Sequence, residues 1–320
     1  MIEQVRELTA DIVRDWVNDT DGWFSSRDMD VDLCVNHAKN KAHRRVIMHR
    51  LLAEGVIKQH ISKSHTYRRV QREARDIDWP NADPENYLHL KWPFYLEYLV
   101  KIYPRNVVVV AGEPNCGKTS FCIDFVARNQ MPLQDKEIYY FTSEMDAEEF
   151  QVVLSKFDDV AGWSFHAKDR SHNFADVIVP DAINIIDFLE VTDEFYKVGG
   201  EMSEIRDALG KGIAIIALQK NPGAEAGVGG TRGLEKPRLY LTLDQKREKK
   251  QGYDFRTRVQ GLYEMKILKA KFPMDNTIRP NGMSWEYKFA EGGSLFDITK
   301  YPSYLPPNYP VVAGGYEVIK

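Results

Sequence analysis

Between residues 107 and 220 the chain breaks into short apolar runs separated by stretches of helical periodicity. Val107 to Val110 is an unbroken β-branched run, and Glu137 to Met145, Ala182 to Glu190 and Gly212 to Lys220 are nearly as apolar. Runs that are apolar at odd and even positions alike predict strands buried on both faces of a parallel sheet. After the first run, Phe121, Ile123, Phe125 and Val126 give helical spacing as far as Asn129, and Asp146 to Phe157 and Met202 to Leu209 also read as helices. Strand and helix alternate, so the expected fold class is α/β, with helices on both faces of a mostly parallel sheet. Further on, Arg238 to Leu243 and Gly261 to Lys271 alternate as strands around a charged excursion, Asp244 to Thr257, and Trp285 to Phe289 continues the β meander.

The N-terminal part has a different rhythm. Ile2, Val5, Leu8, Ile12, Val13, Trp16 and Val17 mark one helix, ended by the turn residues Asn18 to Gly22. Trp23 to Asp28 gives a short extended stretch and a serine cap, and Met29 to Val35 a short second helix. A third helix, Asn40 to Ala53, carries Val46, Ile47, Leu51 and Leu52 on one face and closes at Gly55. Val56 to Ile61 and Thr66 to Val70 then read as two strands around the turn Ser62 to His65. Three helices followed by a basic hairpin, with Arg50 to Ile57 between them, resemble a winged-helix domain. The expected domains are therefore residues 1–75, of winged-helix type; a proline- and acid-rich linker, 76–90; an α/β core, 91–300; and a Pro/Tyr-rich tail, 301–320, without a core pattern.

Charge sharpens that division. The 320-residue chain has a net charge of −4, yet residues 36 to 75 hold eleven Lys or Arg against Glu54 and Glu73. Such a local patch is the electrostatic footprint of a DNA-binding surface, although a solvated helix face or a protein-binding winged helix would look alike. The candidate contacts are Lys41, Arg44, Arg45 and Arg50 on the third helix and Lys63, Arg68 and Arg69 around the hairpin. The apolar share of 43% supports a real core. Cys34, Cys116 and Cys122 show no ligand spacing, no stretch approaches the roughly 20 apolar residues of a membrane span, and the first residues lack a signal peptide's pattern. A soluble, cytoplasmic protein that does not enter membranes is the expectation.

The strongest chemical signal follows the valine run. Gly112-Glu113-Pro114-Asn115-Cys116-Gly117-Lys118-Thr119 fits G-x-x-x-x-G-K-[ST], with Ser120 opening the next helix. The glycines let backbone N–H groups wrap a polyphosphate at a helix N-terminus. Lys118 would reach the β- and γ-phosphates and Thr119 would hold Mg²⁺ by its hydroxyl, so the expected cofactors are ATP and Mg²⁺. Glu144, at the end of the second apolar run, is the candidate general base, with Glu190 next in line. Asp187, ending the third run, has the position of an acid linked to the metal. Asn221 to Pro237 is a glycine-rich loop, a length usually tied to function.

These elements, in this order, resemble the RecA-like ATPases, in the branch of the DnaB-type replicative helicases and the RadA/KaiC-like ATPases. The resemblance rests on Gly112 to Thr119, Ser143-Glu144-Met145, the strand ending at Asp187, and Leu218-Gln219, and covers roughly residues 90 to 300. It implies that Glu144 polarises the attacking water and that Gln219 relays the γ-phosphate state to the glycine-rich loop, where Arg232 would meet DNA. It also implies a homo-oligomeric ring or filament in which Lys269 and Lys271, on one side of their strand, reach a neighbour's nucleotide. The family usually has arginine there, which leaves Arg232 and Arg279 as rivals, and a winged helix stands where a helicase has a helical collar. Two functions follow: a DNA-stimulated ATPase that moves on, remodels or loads onto DNA, or an ATP-switched, DNA-bound regulator or recombination mediator with little turnover.

Overall fold

The computed structural model describes residues 8–72, 74, 76–130, 136–157, 160–189, 198–228, 230–249, 256–290 and 296–311. They fall into two compact units, Met1–Ala82 and Asp83–Lys320.

In the first unit α1 (Ala10–Asp19) is capped by the Thr9 hydroxyl. β1 (Trp23–Ser25) passes directly into α2 (Ser26–Asp32), because Ser25 and Asp28 satisfy each other's backbone N–H groups in a capping box. α3 (Ala38–Ala53) ends where Gly55 takes a left-handed φ of 66°. β2 (Ile57–Gln59) and β3 (Thr66–Arg69) complete an antiparallel sheet of order β1-β3-β2. The core is formed by Val13, Val17, Met29, Ile47, Met48 and Leu51 among others. Val46, expected inside, is 56% exposed, and Arg44, expected on the outer surface, is buried. The face of α3 is rotated so that 44, 47, 48 and 51 point inward, the i, i+3, i+4, i+7 set of a helix.

The second unit is built on a nine-stranded sheet. In chain order its strands are β4 (Val107–Gly112), β5 (Ile138–Thr142), β6 (His166–Asp169), β7 (Ile183–Leu189), β8 (Ile213–Gln219), β9 (Leu239–Lys249), β10 (Arg256–Ala270), β11 (Ser284–Phe289) and β12 (Phe296–Lys300). Their spatial order is β12-β11-β10-β9-β4-β8-β7-β5-β6. From β9 to β6 all pairings are parallel, and from β9 to β12 all are antiparallel. The fold is thus mixed α/β with a mostly parallel sheet flanked by helices. Alternate valines of β4 serve two cores. Val108 and Val110 pack with α4 (Lys118–Arg128) and α5 (Ala147–Leu154), while Val107 and Val109 pack with α6 (Val198–Ala208).

The structure adds to the sequence pattern here. The charged excursion 244–257 belongs largely to the long arms of β9 and β10, where paired backbone holds polar residues in strands beyond the buried sheet. The edge strands β6 and β12 carry too little apolar pattern to announce themselves. The tail, which has no core pattern in sequence, contributes a buried tyrosine. Tyr309 is buried, accepting from Trp285 Nε1 at 3.0 Å and donating to the Phe94 carbonyl. Leu90, at the end of the predicted linker, is also buried in this core.

Candidate nucleotide site

The phosphate loop leaves the C-terminal end of β4 at the centre of the sheet, where Gly112 is in register with Gln219 of β8 and Leu243 of β9. Gly117 caps α4 with a φ of 90°, and a Cβ there would lie 2.9 Å from the Phe289 ring, so both backbone and space demand glycine. Lys118, the first residue of α4, folds its Nζ back onto the carbonyls of Gly112 (3.3 Å) and Glu113 (3.2 Å). Burial pulls its pKa down, and the nearby charge of Asp187 opposes that. Pro114 and Asn115 are exposed at the loop's tip, Cys116 is buried, and Thr119 and Ser120 are half-buried on the first turn of α4.

Parallel pairing brings the other candidates to the same edge. Asp187 near the end of β7 is 3% exposed and accepts the Tyr140 hydroxyl at 2.6 Å. Burial raises its pKa, against the Tyr140 and Thr119 hydrogen bonds and the charge of Lys118. Glu144 lies just past β5, exposed to a cleft of about 600 Å³ that Lys118, Thr119 and Gln219 also line. Glu190 lies outside the described residues, as does the side chain of Arg232.

The oxygen donors present, the Thr119 hydroxyl and the Asp187 carboxylate beside a phosphate loop, suit Mg²⁺, which prefers oxygen and is commonly shared with substrate phosphates. Among the described residues no group of three or more His, Cys, Asp or Glu could hold a metal ion by itself.

Several partners of the loop carry no sequence signal. Glu113 is buried inside the loop, paired with Arg247 of β9 at 2.7 Å and accepting the Gly223 N–H at 3.2 Å, which ties the phosphate loop to the glycine-rich loop. The Cys116 carbonyl accepts the Tyr287 hydroxyl at 2.6 Å, and burial pushes the Cys116 thiol up to about 11, with the Glu113 charge adding to it. These partners lie far along the chain, and only the sheet order brings them together.

The lysine pair is placed elsewhere. Ala270 pairs with Leu239, whereas Gly112 pairs with Leu243, so the end of β10 lies at the edge of the sheet opposite the phosphate loop. Lys269 Nζ donates to the carbonyls of Leu234 and Glu235 of its own chain. Lys271 is exposed just beyond the strand, and the register shifts between Ile267 and Lys269, so simple alternation does not place both lysines on one side. Arg279 is exposed and lines a separate cleft with Lys246 and Lys300.

In the first unit Lys41, Arg45, Arg50 and Lys63 are exposed, and Arg68 and Arg69 are half-buried. Arg44 is a structural residue: its Nη1 donates to the Ser26 carbonyl at 2.5 Å and its Nε lies 3.3 Å from Asp30. No helix among the described residues is long and apolar enough to cross a membrane.

No protein-family model and no curated protein matches the chain. Among solved structures it is similar to a RadB recombinase, at 14% identity over 60% of this chain and 90% of that one, with a TM-score of 0.39. It is also similar to a DnaB-like replicative helicase, at 15% identity over 68% of this chain and 64% of that one, with a TM-score of 0.47. A KaiC-like protein from Pyrococcus horikoshii OT3 is similar at 14% identity over 68% of this chain and 100% of that one, again with a TM-score of 0.47.

Proposed function

We propose that this chain is a DNA-binding, Mg²⁺-dependent ATPase of the RecA-like kind, assembled as a ring or filament, that moves on, remodels or loads onto DNA. The observation that carries the reading is the convergence of Lys118, Thr119, Glu144 and Gln219 on one cleft, with Asp187 next to the cleft-lining Phe188, from four neighbouring parallel strands. In this reading the loop's N–H groups and Lys118 cradle the phosphates, and Thr119 and Asp187 hold Mg²⁺, which would neutralise phosphate charge when bound. Glu144 orients and takes the proton of the attacking water, and Gln219 reports the terminal phosphate to the adjoining loop, whose Val228 N–H donates to the Gln219 carbonyl at 2.9 Å. The exposed cations of the first unit engage duplex DNA.

A second reading, an ATP-switched, DNA-bound regulator or recombination mediator with little turnover, draws support from Lys269, whose ammonium is held by carbonyls of its own chain and not presented outward. Steady-state ATP hydrolysis with and without DNA separates the two. Several-fold stimulation is expected of the motor; slow hydrolysis that DNA leaves unchanged, with ATP still driving assembly, supports the switch. No ATP binding at all would remove both.

A further inference from the structure

The face of β5 and β7 that meets α4 is apolar along nearly its whole length. Ile183 and Ile185 of β7 pack there with Phe121 and Cys122 of α4, and Tyr140 of β5 belongs to the same cluster. At the phosphate-loop end this face turns polar: Asp187 follows Ile185 on the same side of β7, and the Tyr140 hydroxyl reaches it at 2.6 Å from the neighbouring strand. Tyr140 is 0% exposed and Asp187 3%. Burying a carboxylate is unfavourable unless its surroundings hold it, so an apolar face that admits one at this edge has a use for it. The Tyr140 bond engages Oδ2 of the carboxylate.

We propose that Tyr140 is a positioning residue for the metal: its hydroxyl fixes the rotation of the Asp187 carboxylate so that the free lone pairs face Thr119 and the Mg²⁺ that accompanies the nucleotide. This rests on the nucleotide reading above. Partners that orient a ligand carboxylate are commonly worth about 10–100-fold in metal affinity. The ring of Tyr140 also packs against Phe150 (centroids 5.3 Å apart) and Phe165 (6.5 Å), so Tyr140→Phe keeps the packing and removes only the hydroxyl.

The test measures binding of a fluorescent ATP analogue to the full-length chain while Mg²⁺ is titrated, in wild type, Tyr140→Phe and Phe150→Leu. Tyr140→Phe should need about 10–100-fold more Mg²⁺ for half-maximal binding, with metal-free nucleotide affinity unchanged. Phe150→Leu, which loosens the same cluster without touching the carboxylate, should melt earlier yet keep the wild-type Mg²⁺ requirement. A Tyr140→Phe curve superimposed on wild type, or a Phe150→Leu curve shifted as far as that of Tyr140→Phe, overturns the role of the hydroxyl. A wild-type chain that binds no nucleotide with or without Mg²⁺ overturns the nucleotide reading itself and this role with it.

Discussion

Lys118 and Glu144 line one cleft, and each can be removed with a distinct consequence. Lys118→Ala deletes the ammonium that would replace its present carbonyl partners with phosphate oxygens, so ATP binding should fall below detection by calorimetry. Glu144→Gln keeps shape and hydrogen bonding but cannot take a proton. It should leave ATP affinity near wild type and cut hydrolysis by about 10²- to 10⁴-fold, the usual effect of losing a general base. Wild-type turnover in that variant would move the base to another carboxylate. Lys118 and Thr119 were legible because a glycine-rich turn before a helix has a fixed local spacing. Tyr140, Arg247 and Tyr287 were not, because each acts on a residue far away in sequence. Arg44 was misread for a related reason: a lone arginine on a helix carries no mark of the Asp30 that awaits it in another element.

At the scale of elements, α4 carries an ion pair within its own last turn, between residues four apart. Asp124 is 2% exposed, and both its oxygens accept from Arg128 Nε at 3.1 Å. Burial raises the Asp124 pKa, and Arg128 works against that shift. Arg128→Ala would leave a buried charge without its partner, a change that typically destabilises by about 3–5 kcal/mol. An acid whose folded pKa is raised contributes stability at low pH that is lost as pH rises through that value, and removing Arg128 raises it further. The deficit of Arg128→Ala relative to wild type should therefore be large near neutral pH and shrink on acidification, as paired thermal melts would reveal. An equal deficit at both ends of that range would assign the loss to packing, including the ring of Tyr95 that Arg128 covers at 5.3 Å. The helices and buried strands were legible from their periods, while β6 and β12 and the outer arms of β9 and β10 take their strand form from pairing with a neighbour.

For the whole molecule the open matters are DNA and assembly. If the first unit grips phosphates, the logarithm of affinity for duplex DNA should fall with the logarithm of salt at about −0.9 per contact. The triple substitution Lys41→Ala/Arg45→Ala/Arg50→Ala in the full chain should then flatten that slope by about 3, whereas a slope unchanged by it would point to a protein partner for this surface. A shared active site has its own signature. Subunits carrying Glu144→Gln, mixed with subunits carrying Lys269→Ala/Lys271→Ala, should recover part of the ATPase activity that each lacks alone, and no recovery in verified mixed oligomers would place the second cation in cis. Within one chain the stretch of β9 from Leu239 to Leu243 lies between the end of β10 and the register of the phosphate loop, so a role for these lysines at a nucleotide would have to be played on a neighbour's.

The sequence by itself determined the alternation of buried strands and amphipathic helices, the phosphate loop between β4 and α4, and the acids at or just past the ends of β5 and β7. Each of these is written in spacings of a few residues, through side-chain period, glycine freedom and helix capping. Only the tertiary structure decided which strands are neighbours, and with that the Tyr140–Asp187 bond, the Glu113–Arg247 pair, the Tyr287 support beneath Cys116, the burial of Tyr309 and the inward turn of Lys269. Those contacts join segments 35 to 215 residues apart, and they follow from the order of strands in the sheet, set by how two hydrophobic layers pack and not by any local pattern.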